Sequence, residues 1–399
     1  MNVYFDNAAT TALDAEVLKE MVKVLEGKHG NPSSIHSFGR EAKAMVEKAR
    51  KTIAHHLNVS PSEIFFTSGG TEADNMAIRC AVDEYKIKHI ISSPLEHHAV
   101  LHSIEDLVHK GKVTVGHVKL KENARPDESF GRGHIDLLDL EKQLQEHPHA
   151  LVSLMHANNE IGNILPIEEV GELCKKYNAV FHSDTVQSIC HYPIDLQKIH
   201  VDFIAAAAHK FHGPKGSGFI YIKGSRKIAP LIHGGGQERN MRGGTENVAG
   251  IIGLAKAFEL AHIHMKEHAD HIQHLKTHLI NRLEEELKGV KFNGDAKGNS
   301  LYTVLNVMLP ETDDYEMMLM KLDMDGIAAS AGSACSSGSN VGSHVIASLG
   351  VNIDRRPVIR FSFSKYNTIA EVDFLVETLK SYYPADILKK SAVSKNAVN

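Results

Sequence analysis

The stretch from 179 to 222 reads AVFHSDTVQSICHYPIDLQKIHVDFIAAAAHKFHGPKGSGFIYI. It contains three short apolar runs, at 179–183, 203–207 and 218–222, whose length and composition are typical of buried strands. Helical patterns alternate with such runs, as expected for a sheet built from βαβ units. The sequence therefore predicts an α/β core with a mostly parallel central sheet. Further strands are predicted at 63–67, 89–92, 112–118 and 150–155, and helices at 71–85, 100–110 and 167–177.

A second, smaller unit follows this core. One long helical region, from about 248 to 287, leads to strand candidates at 301–307 and 358–363 and to helices near 315–324 and 369–382. We therefore expect a large domain at 15–260 and a small α+β domain formed by 1–14 and 261–388. The polar tail at 389–399 is expected to be frayed.

Composition limits the function classes. The 399 residues carry a formal net charge of -5, which argues against a nucleic-acid or anionic-membrane partner. With no run of eighteen apolar residues and no leader pattern, we expect a cytoplasmic protein. The histidines between 262 and 278 indicate a solvated helix face rather than a metal site, because ligand spacing is absent. These features favour an enzyme with a small-molecule substrate and no metal.

Two motifs lie where predicted strands end. Thr67-Ser68-Gly69-Gly70-Thr71-Glu72 joins a strand to a helix, so its backbone N–H groups could bind a phosphate, although a Thr N-cap would give the same pattern. Asp184 ends an apolar strand, where a carboxylate needs a cationic partner or caps the next turn. A protonated pyridine nitrogen would be such a partner.

Small residues at 205–208 run into His209-Lys210 and then a Gly-Pro turn. They leave room for a flat ring, and Lys210 could form a Schiff base with an aldehyde. The alternative for any single lysine is a solvated surface charge.

Cys335 lies in a polar Gly/Ser-rich loop, whereas Cys80, Cys174 and Cys190 lie in apolar surroundings that indicate core packing. No CxxC pair occurs, which indicates reduced thiols. Cys335 is therefore the candidate reactive thiol.

Taken in order, these motifs resemble the cysteine desulfurases that supply sulfur for iron–sulfur clusters. The resemblance covers nearly the whole chain. It also rests on Asp6-Asn7-Ala8-Ala9-Thr10-Thr11, Asn31-Pro32-Ser33-Ser34, His156-Ala157-Asn158-Asn159-Glu160-Ile161-Gly162, Arg242-Gly243-Gly244-Thr245-Glu246-Asn247 and Arg360-Phe361-Ser362. It implies the fold type I architecture of class V aminotransferases, pyridoxal 5'-phosphate as cofactor, L-cysteine as substrate and a homodimer with active sites at the subunit interface.

The resemblance also implies residue roles. Lys210 would hold the cofactor, Asp184 would pair with the pyridine nitrogen and His97 would stack on the ring and help catalysis. Cys335 would accept sulfur as a persulfide for a sulfur-acceptor or iron–sulfur scaffold protein, aided by a nearby cation such as His97. Further cofactor contacts would come from Gly70, Thr71, Asn159, Gln187, His209 and, from the partner subunit, Thr245; substrate contacts would come from Asn7, Asn159 and Arg360.

The chain departs from the family pattern at two places. Ala207 stands where relatives commonly carry a phosphate-binding Ser, and Ser364-Lys365 replaces the usual Gly-Arg after Arg360-Phe361-Ser362-Phe363. Three other functions stay open at this point: a selenocysteine lyase, a class V aminotransferase that needs no loop thiol, and a non-catalytic scaffold for iron–sulfur assembly. The intact Asp184, Lys210 and Cys335 argue against the scaffold.

Overall fold

The main sheet has seven strands, most of them parallel. The computed structural model describes residues 1–121, 133–332 and 342–388. The order across the sheet is β2-β8-β7-β6-β5-β3-β4. These strands are β2 Ile64–Thr67, β3 His89–Ser92, β4 Thr114–His117, β5 Leu151–Ser153, β6 Val180–Asp184, β7 Phe203–Ala207 and β8 Gly218–Ile222. The α/β fold class with a mostly parallel central sheet is thus confirmed.

Helices cover both faces of this sheet. Alternate strand residues face opposite layers: Ile204 of β7 packs in the cluster with α2 and α8, whereas Phe203 packs in the cluster with α3 and α5. The helices around the sheet are α1 Ala15–Gly27, α2 Ser37–His56, α3 Gly70–Asn75, α4 Ala81–Glu84, α5 His98–His109, α6 Leu137–Glu146, α7 Ile167–Lys176 and α8 Val248–Ile263. A π-helical turn, Met76–Cys80, joins α3 to α4.

Two features of the large unit differ from the sequence predictions. β8 runs antiparallel to both β2 and β7, so the sheet is mixed at that edge. The predicted long helical region from 248 to 287 is helical but bent, because α8 ends at Ile263 and α9 Met265–Glu286 follows at an angle of 74°. This bend turns the chain toward a second layer of structure.

The second layer is an α+β unit built from both ends of the chain. An antiparallel sheet of order β12-β10-β9 and a parallel β1-β11 pair provide its strands: β1 Val3–Tyr4, β9 Lys291–Asn293, β10 Val304–Met308, β11 Ile327–Ala328 and β12 Val358–Ser362. Its helices are α9, α10 Met318–Met324, α11 His344–Ser348 and α12 Ile369–Ser381, the last begun by a Thr368/Glu371 capping box.

A separate buried cluster fills this second layer. Phe5, Leu279, Leu305, Phe361 and Leu375 pack together in it. We therefore propose that the small domain consists of 1–14 and 261–388 and the large domain of 15–260; the predicted frayed tail from 389 onward lies outside the described residues.

Among the described residues, no single helix is long and apolar enough to cross a membrane, and one bent pair, α8 with α9, meets the length and composition requirement only when taken together.

Candidate active site

A cavity lies beyond the carboxyl ends of β6 and β7, where sheets of this type bind ligands. Nine of the predicted site residues line it, and so the fold brings together groups that are up to 290 positions apart in sequence (360 minus 70). They are Gly70, Thr71, His97, Asn159, Asp184, Gln187, His209, Lys210 and Arg360.

Asp184 is the last residue of β6 and is 5% exposed. One carboxylate oxygen accepts a hydrogen bond of 2.9 Å from the Val186 backbone N–H. Burial raises the pKa of Asp184 to about 6, opposed by that N–H and by the charge of Lys210. At neutral pH Asp184 is therefore ionised.

Lys210 ends a short 3₁₀ turn, Ala208–Lys210, directly after β7. Its Nζ donates to the carbonyl oxygens of Ala8 and Ala9 at 2.6 and 2.9 Å. The N-terminal Asp6–Thr11 stretch predicted from sequence thus folds over the lysine, and the Thr11 N–H donates to the His209 carbonyl. The amine is held at the wall of the cavity that Asp184 also lines.

His97 is the N-cap of α5, and its Nδ1 accepts a hydrogen bond from the Ala99 N–H at 3.1 Å. Burial, together with the charges of Lys210, His344 and His102, lowers the pKa of His97 to about 4. The imidazole is therefore neutral at pH 7, with its proton on Nε2. A neutral ring does not supply the positive charge that was expected to help the thiol, whereas it suits stacking on a cofactor ring.

The predicted phosphate cradle falls at the start of α3. Its N-cap is Gly69, and among the described residues no side chain caps the helix, so Thr71 is not the N-cap that the alternative interpretation required. A Cβ on Gly70 would come within 2.7 Å of Val186 Cγ2 and 3.8 Å of the Ala207 Cβ. The glycine is thus needed for close packing, and the Ala207 methyl faces the cradle.

Arg360 lies on β12 and is 1% exposed. Its guanidinium donates to the Asn159 carbonyl at 2.9 Å and to Asp6 Oδ1 at 2.8 Å, while its Nε has no hydrogen-bond partner among the described residues. The unused N–H donors suit a substrate carboxylate. Lys365, at the family's usual Arg position, instead donates to Asp14 Oδ2 at 2.5 Å.

Three of the predicted site residues are not among the described residues that line this cavity. Asn7 lines a neighbouring cavity on the other side of Lys210, and its amide nitrogen donates to the Ser362 carbonyl at 2.9 Å, so it holds β12 rather than facing the main cavity. Thr245 is exposed in this chain. Cys335 lies outside the described residues, as does the rest of 333–341.

The sequence predictions missed two buried carboxyl groups, Asp74 and Glu96. Asp74 lines the same cavity as Asp184, and Glu96 accepts a hydrogen bond from the Met155 N–H at 2.8 Å. A usable signal was present: Asp74 lies between Ala73 and Ala77 on the helix face that packs inward. A charge on such a face needs an explanation.

Comparisons with known proteins agree with this geometry. The sequence matches the family described as aminotransferase class-V over residues 3–375. The cysteine desulfurase IscS of Dictyoglomus turgidum is 42% identical over 382 residues, 95% of this chain and 93% of that protein. A solved structure of a NifS-like protein is 40% identical, with a TM-score of 0.85 and coverage of 96% and 99% of the two chains. A structure of SspA in complex with cysteine is 31% identical, with a TM-score of 0.76 and coverage of 92% and 100%.

The fold and the cavity are those of a pyridoxal-phosphate enzyme, and the chain belongs to the class-V aminotransferase family. Within that family, its similarity over nearly the whole length places it among the cysteine desulfurases. The resemblance inferred from the motifs is thereby confirmed.

The residues present fit the cofactor. An amine at Lys210, an ionised carboxylate at Asp184 and a helix start without a side-chain cap face one cavity. Lys210 would bind its aldehyde carbon, Asp184 its ring nitrogen and the α3 N-terminus its phosphate. Among the described residues, no group of three or more His, Cys, Asp or Glu side chains is arranged to hold a metal ion.

Proposed function

We propose that the protein converts L-cysteine to L-alanine and holds the removed sulfur as a persulfide on Cys335. The observation that carries the proposal is the single cavity that brings together Lys210, Asp184, His97 and Arg360. The similarity to the IscS of Dictyoglomus turgidum and to a structure named as a complex with cysteine supports the reaction and the substrate.

When bound, pyridoxal phosphate supplies an electron-withdrawing ring that stabilises negative charge at the substrate Cα. Arg360 binds the substrate carboxylate through the N–H donors that Asp6 and Asn159 leave unused. Lys210 removes the Cα proton and later returns one, because its amine is already held at the cavity wall. Asp184 keeps a proton on the ring nitrogen, and neutral His97 packs on the ring face.

Sulfur transfer requires a thiol at this cavity. The Cys335 thiolate attacks the substrate sulfur, the bond between that sulfur and the substrate Cβ breaks, and its electron pair stays on carbon, which is protonated to give alanine. The sulfur leaves with Cys335 as a persulfide, so cysteine and one thiol give alanine and one persulfide. The proton that the Cys335 thiol loses balances the one taken up at the substrate carbon.

The described residues on both sides of 333–341 support this role for Cys335. Ser330 exchanges backbone hydrogen bonds with Arg360, and Gly332 lies against Glu160, where a Cβ would come within 2.8 Å of the carboxylate. Ser343 Oγ donates to the same carboxylate at 2.5 Å. Residues on both sides of 333–341 therefore lie against Glu160, which follows Asn159 of the cavity in sequence.

The protein also acts, in this proposal, as a cytoplasmic homodimer that passes its sulfur to an acceptor or iron–sulfur scaffold protein. The segment with Thr245 is anchored beside the cradle, since Arg242 pairs with Glu72 at 2.8 Å. Large apolar side chains are exposed on the surface of the segment that follows the N-terminal motif, with Ile35 90% and Leu25 70% exposed. Such a surface suits a subunit interface.

Turnover by the cofactor-loaded protein tests the reaction. We expect equal amounts of alanine and sulfide from L-cysteine with a reductant, and one added sulfur atom on the Cys335 peptide by mass spectrometry. Cys335→Ser should lose sulfide formation, whereas Cys80→Ala, which changes a buried thiol, should keep it. Sulfide formation by Cys335→Ser at the rate of the wild type would overturn the persulfide role. Amino transfer to a keto acid without sulfide would indicate the aminotransferase instead.

Two further measurements test the cofactor sites. Lys210→Ala should lose the borohydride-reducible attachment of the cofactor; retention would contradict the role of Lys210. If Thr245 acts across the interface, mixed dimers of Lys210→Ala and Thr245→Ala subunits contain one intact site and should regain tight cofactor binding in it. Failure to regain tight binding would show that Thr245 does not act across the interface.

A further inference from the structure

Two buried carboxyl groups, Asp74 and Asp184, line the cavity, and a third, Glu96, is close enough to interact with both electrostatically. Asp74 and Glu96 are each 1% exposed and Asp184 is 5% exposed. Asp74 and Asp184 line the cavity together, on α3 and β6. The proposed function uses Asp184 alone, which leaves the charge state of the other two to be explained.

The basic side chain that contacts Asp74 does not neutralise it. His182 Nε2 lies 3.3 Å from Asp74 Oδ1, but His182 is fully buried and burial lowers its pKa to about 3, so its ring is neutral. Its Nδ1 contacts Ser153 Oγ at 2.9 Å. Lys210 is held by the Ala8 and Ala9 carbonyls. The charged and titratable groups around Asp74 are Asp184, Glu96, His182, His97, His209, Lys210 and Arg360.

Two unsatisfied atoms point to where a proton lies. Asp74 Oδ1 and His182 Nε2 are both buried, and neither has a hydrogen-bond partner among the described residues. With the His182 proton on Nδ1, facing Ser153 Oγ, a proton on Asp74 that faces His182 Nε2 would satisfy both atoms at once. Burial, followed by the negative charges of Asp184 and Glu96, also raises the pKa of Asp74 well above its usual value.

We propose that Asp74 is a positioning residue that stays protonated beside Asp184, so that Asp184 carries the carboxylate charge that the cofactor ring nitrogen meets. The inference rests on the proposed function, because it concerns the carboxylate that Asp184 presents. A second negative charge at Asp74 would raise the proton affinity of Asp184 and weaken its role as an anion. A neutral Asp74 thus adds no negative charge that would raise the proton affinity of Asp184, and Asp184 stays ionised.

Infrared difference spectra of the cofactor-loaded protein test this at pH 7. The wild type should show the C=O stretching band of a protonated carboxyl group, and Asp74→Asn should lose its component of that band. Asp202→Asn is the matched control: Asp202 is also 1% exposed but pairs with Arg226 at 2.8 Å, so its removal should leave the band unchanged. A component lost in Glu96→Gln but kept in Asp74→Asn would overturn the proposal.

The visible absorbance of the bound cofactor gives a second readout. Because Asn replaces a neutral acid, Asp74→Asn should shift the pH titration of this absorbance by less than about one pH unit, and Asp184→Asn by more. His182→Gln serves if Asp74→Asn does not fold, and it should also leave the titration in place. A shift of more than about one unit in either variant would show a charged Asp74–His182 pair and overturn the proposal. Failure of the proposed function is distinct, since it would appear in the wild type as absent alanine and sulfide.

Discussion

Restoring a hydroxyl at Ala207 should tighten cofactor binding. Ala207 ends β7, is 2% exposed and lines the cavity, and its Cβ lies 3.8 Å from the position of a Cβ on Gly70. A serine there would place Oγ at the cradle, in the position where relatives commonly carry this residue. The added atom lies at the cavity that Ala207 already lines.

The expected gain is that of one hydrogen bond to a charged group, about 1.5 to 3 kcal/mol. At about 1.4 kcal/mol per factor of ten, Ala207→Ser should lower the dissociation constant of pyridoxal phosphate about ten- to a hundredfold. A change near a hundredfold requires that the hydroxyl does not displace a well-ordered water that already donates a hydrogen bond to the phosphate.

Cofactor titrations followed by absorbance measure the effect, with pyridoxal, which lacks the phosphate, as the second ligand. Ala207→Ser should leave pyridoxal binding unchanged. Ala206→Ser adds the same atom on the opposite face of β7, in the hydrophobic core, and should lower thermal stability without changing affinity. Equal pyridoxal-phosphate affinity of Ala207→Ser and wild type, or an equal gain for pyridoxal, would refute the reasoning.

Three other predictions concern buried charge. Because the pKa of Asp184 is raised from 3.8 to about 6, its contribution to stability is complete below 3.8 and lost as the pH rises through 6. Asp184→Asn should therefore stabilise the cofactor-free protein at pH 7 by up to about 3 kcal/mol, and by far less at pH 4, in melting experiments. Burial lowers the pKa of His156 to about 4, so stability should fall as the pH drops from 6.5 toward 4, and less steeply in His156→Gln; an identical slope would contradict this. Arg50→Met leaves the buried Glu238 without its 2.7 Å ion pair and should cost about 3 to 5 kcal/mol in urea unfolding, whereas an exposed change such as Lys23→Met should cost almost nothing.

The strands could be predicted because each is a short apolar run between turn residues. Phe203–Ala207, Gly218–Ile222 and His89–Ser92 have the predicted bounds. The antiparallel direction of β8 was not predicted, since an apolar run reads alike in both directions. A signal existed: only ten residues, 208–217, separate β7 from β8, too few for the helical crossover that a parallel pair needs.

Other parts of the fold depend on contacts that local patterns do not show. The bend at His264 has no proline or glycine to mark it, so the two helices read as one. The separation of Asn7 from the main cavity arises from its hydrogen bonds to Tyr4, Ser362 and Asn367, of which the last two lie more than 350 positions away in sequence. The motif order identified the family, but it could not assign this asparagine its contacts.

The charges around the cavity explain why the cradle matters. Burial, with the charges of Lys210 and Lys215, lowers the pKa of His209 to about 4, so this residue can offer a phosphate an N–H donor but no positive charge. Among the described residues that line the cavity, the positively charged side chains are Lys210 and Arg360, and the proposed function uses both elsewhere. A phosphate dianion would thus depend on neutral donors at the α3 N-terminus and on the partner subunit's segment. Each such donor then contributes a large share of the affinity, and for this reason the missing hydroxyl at Ala207 should have a measurable effect.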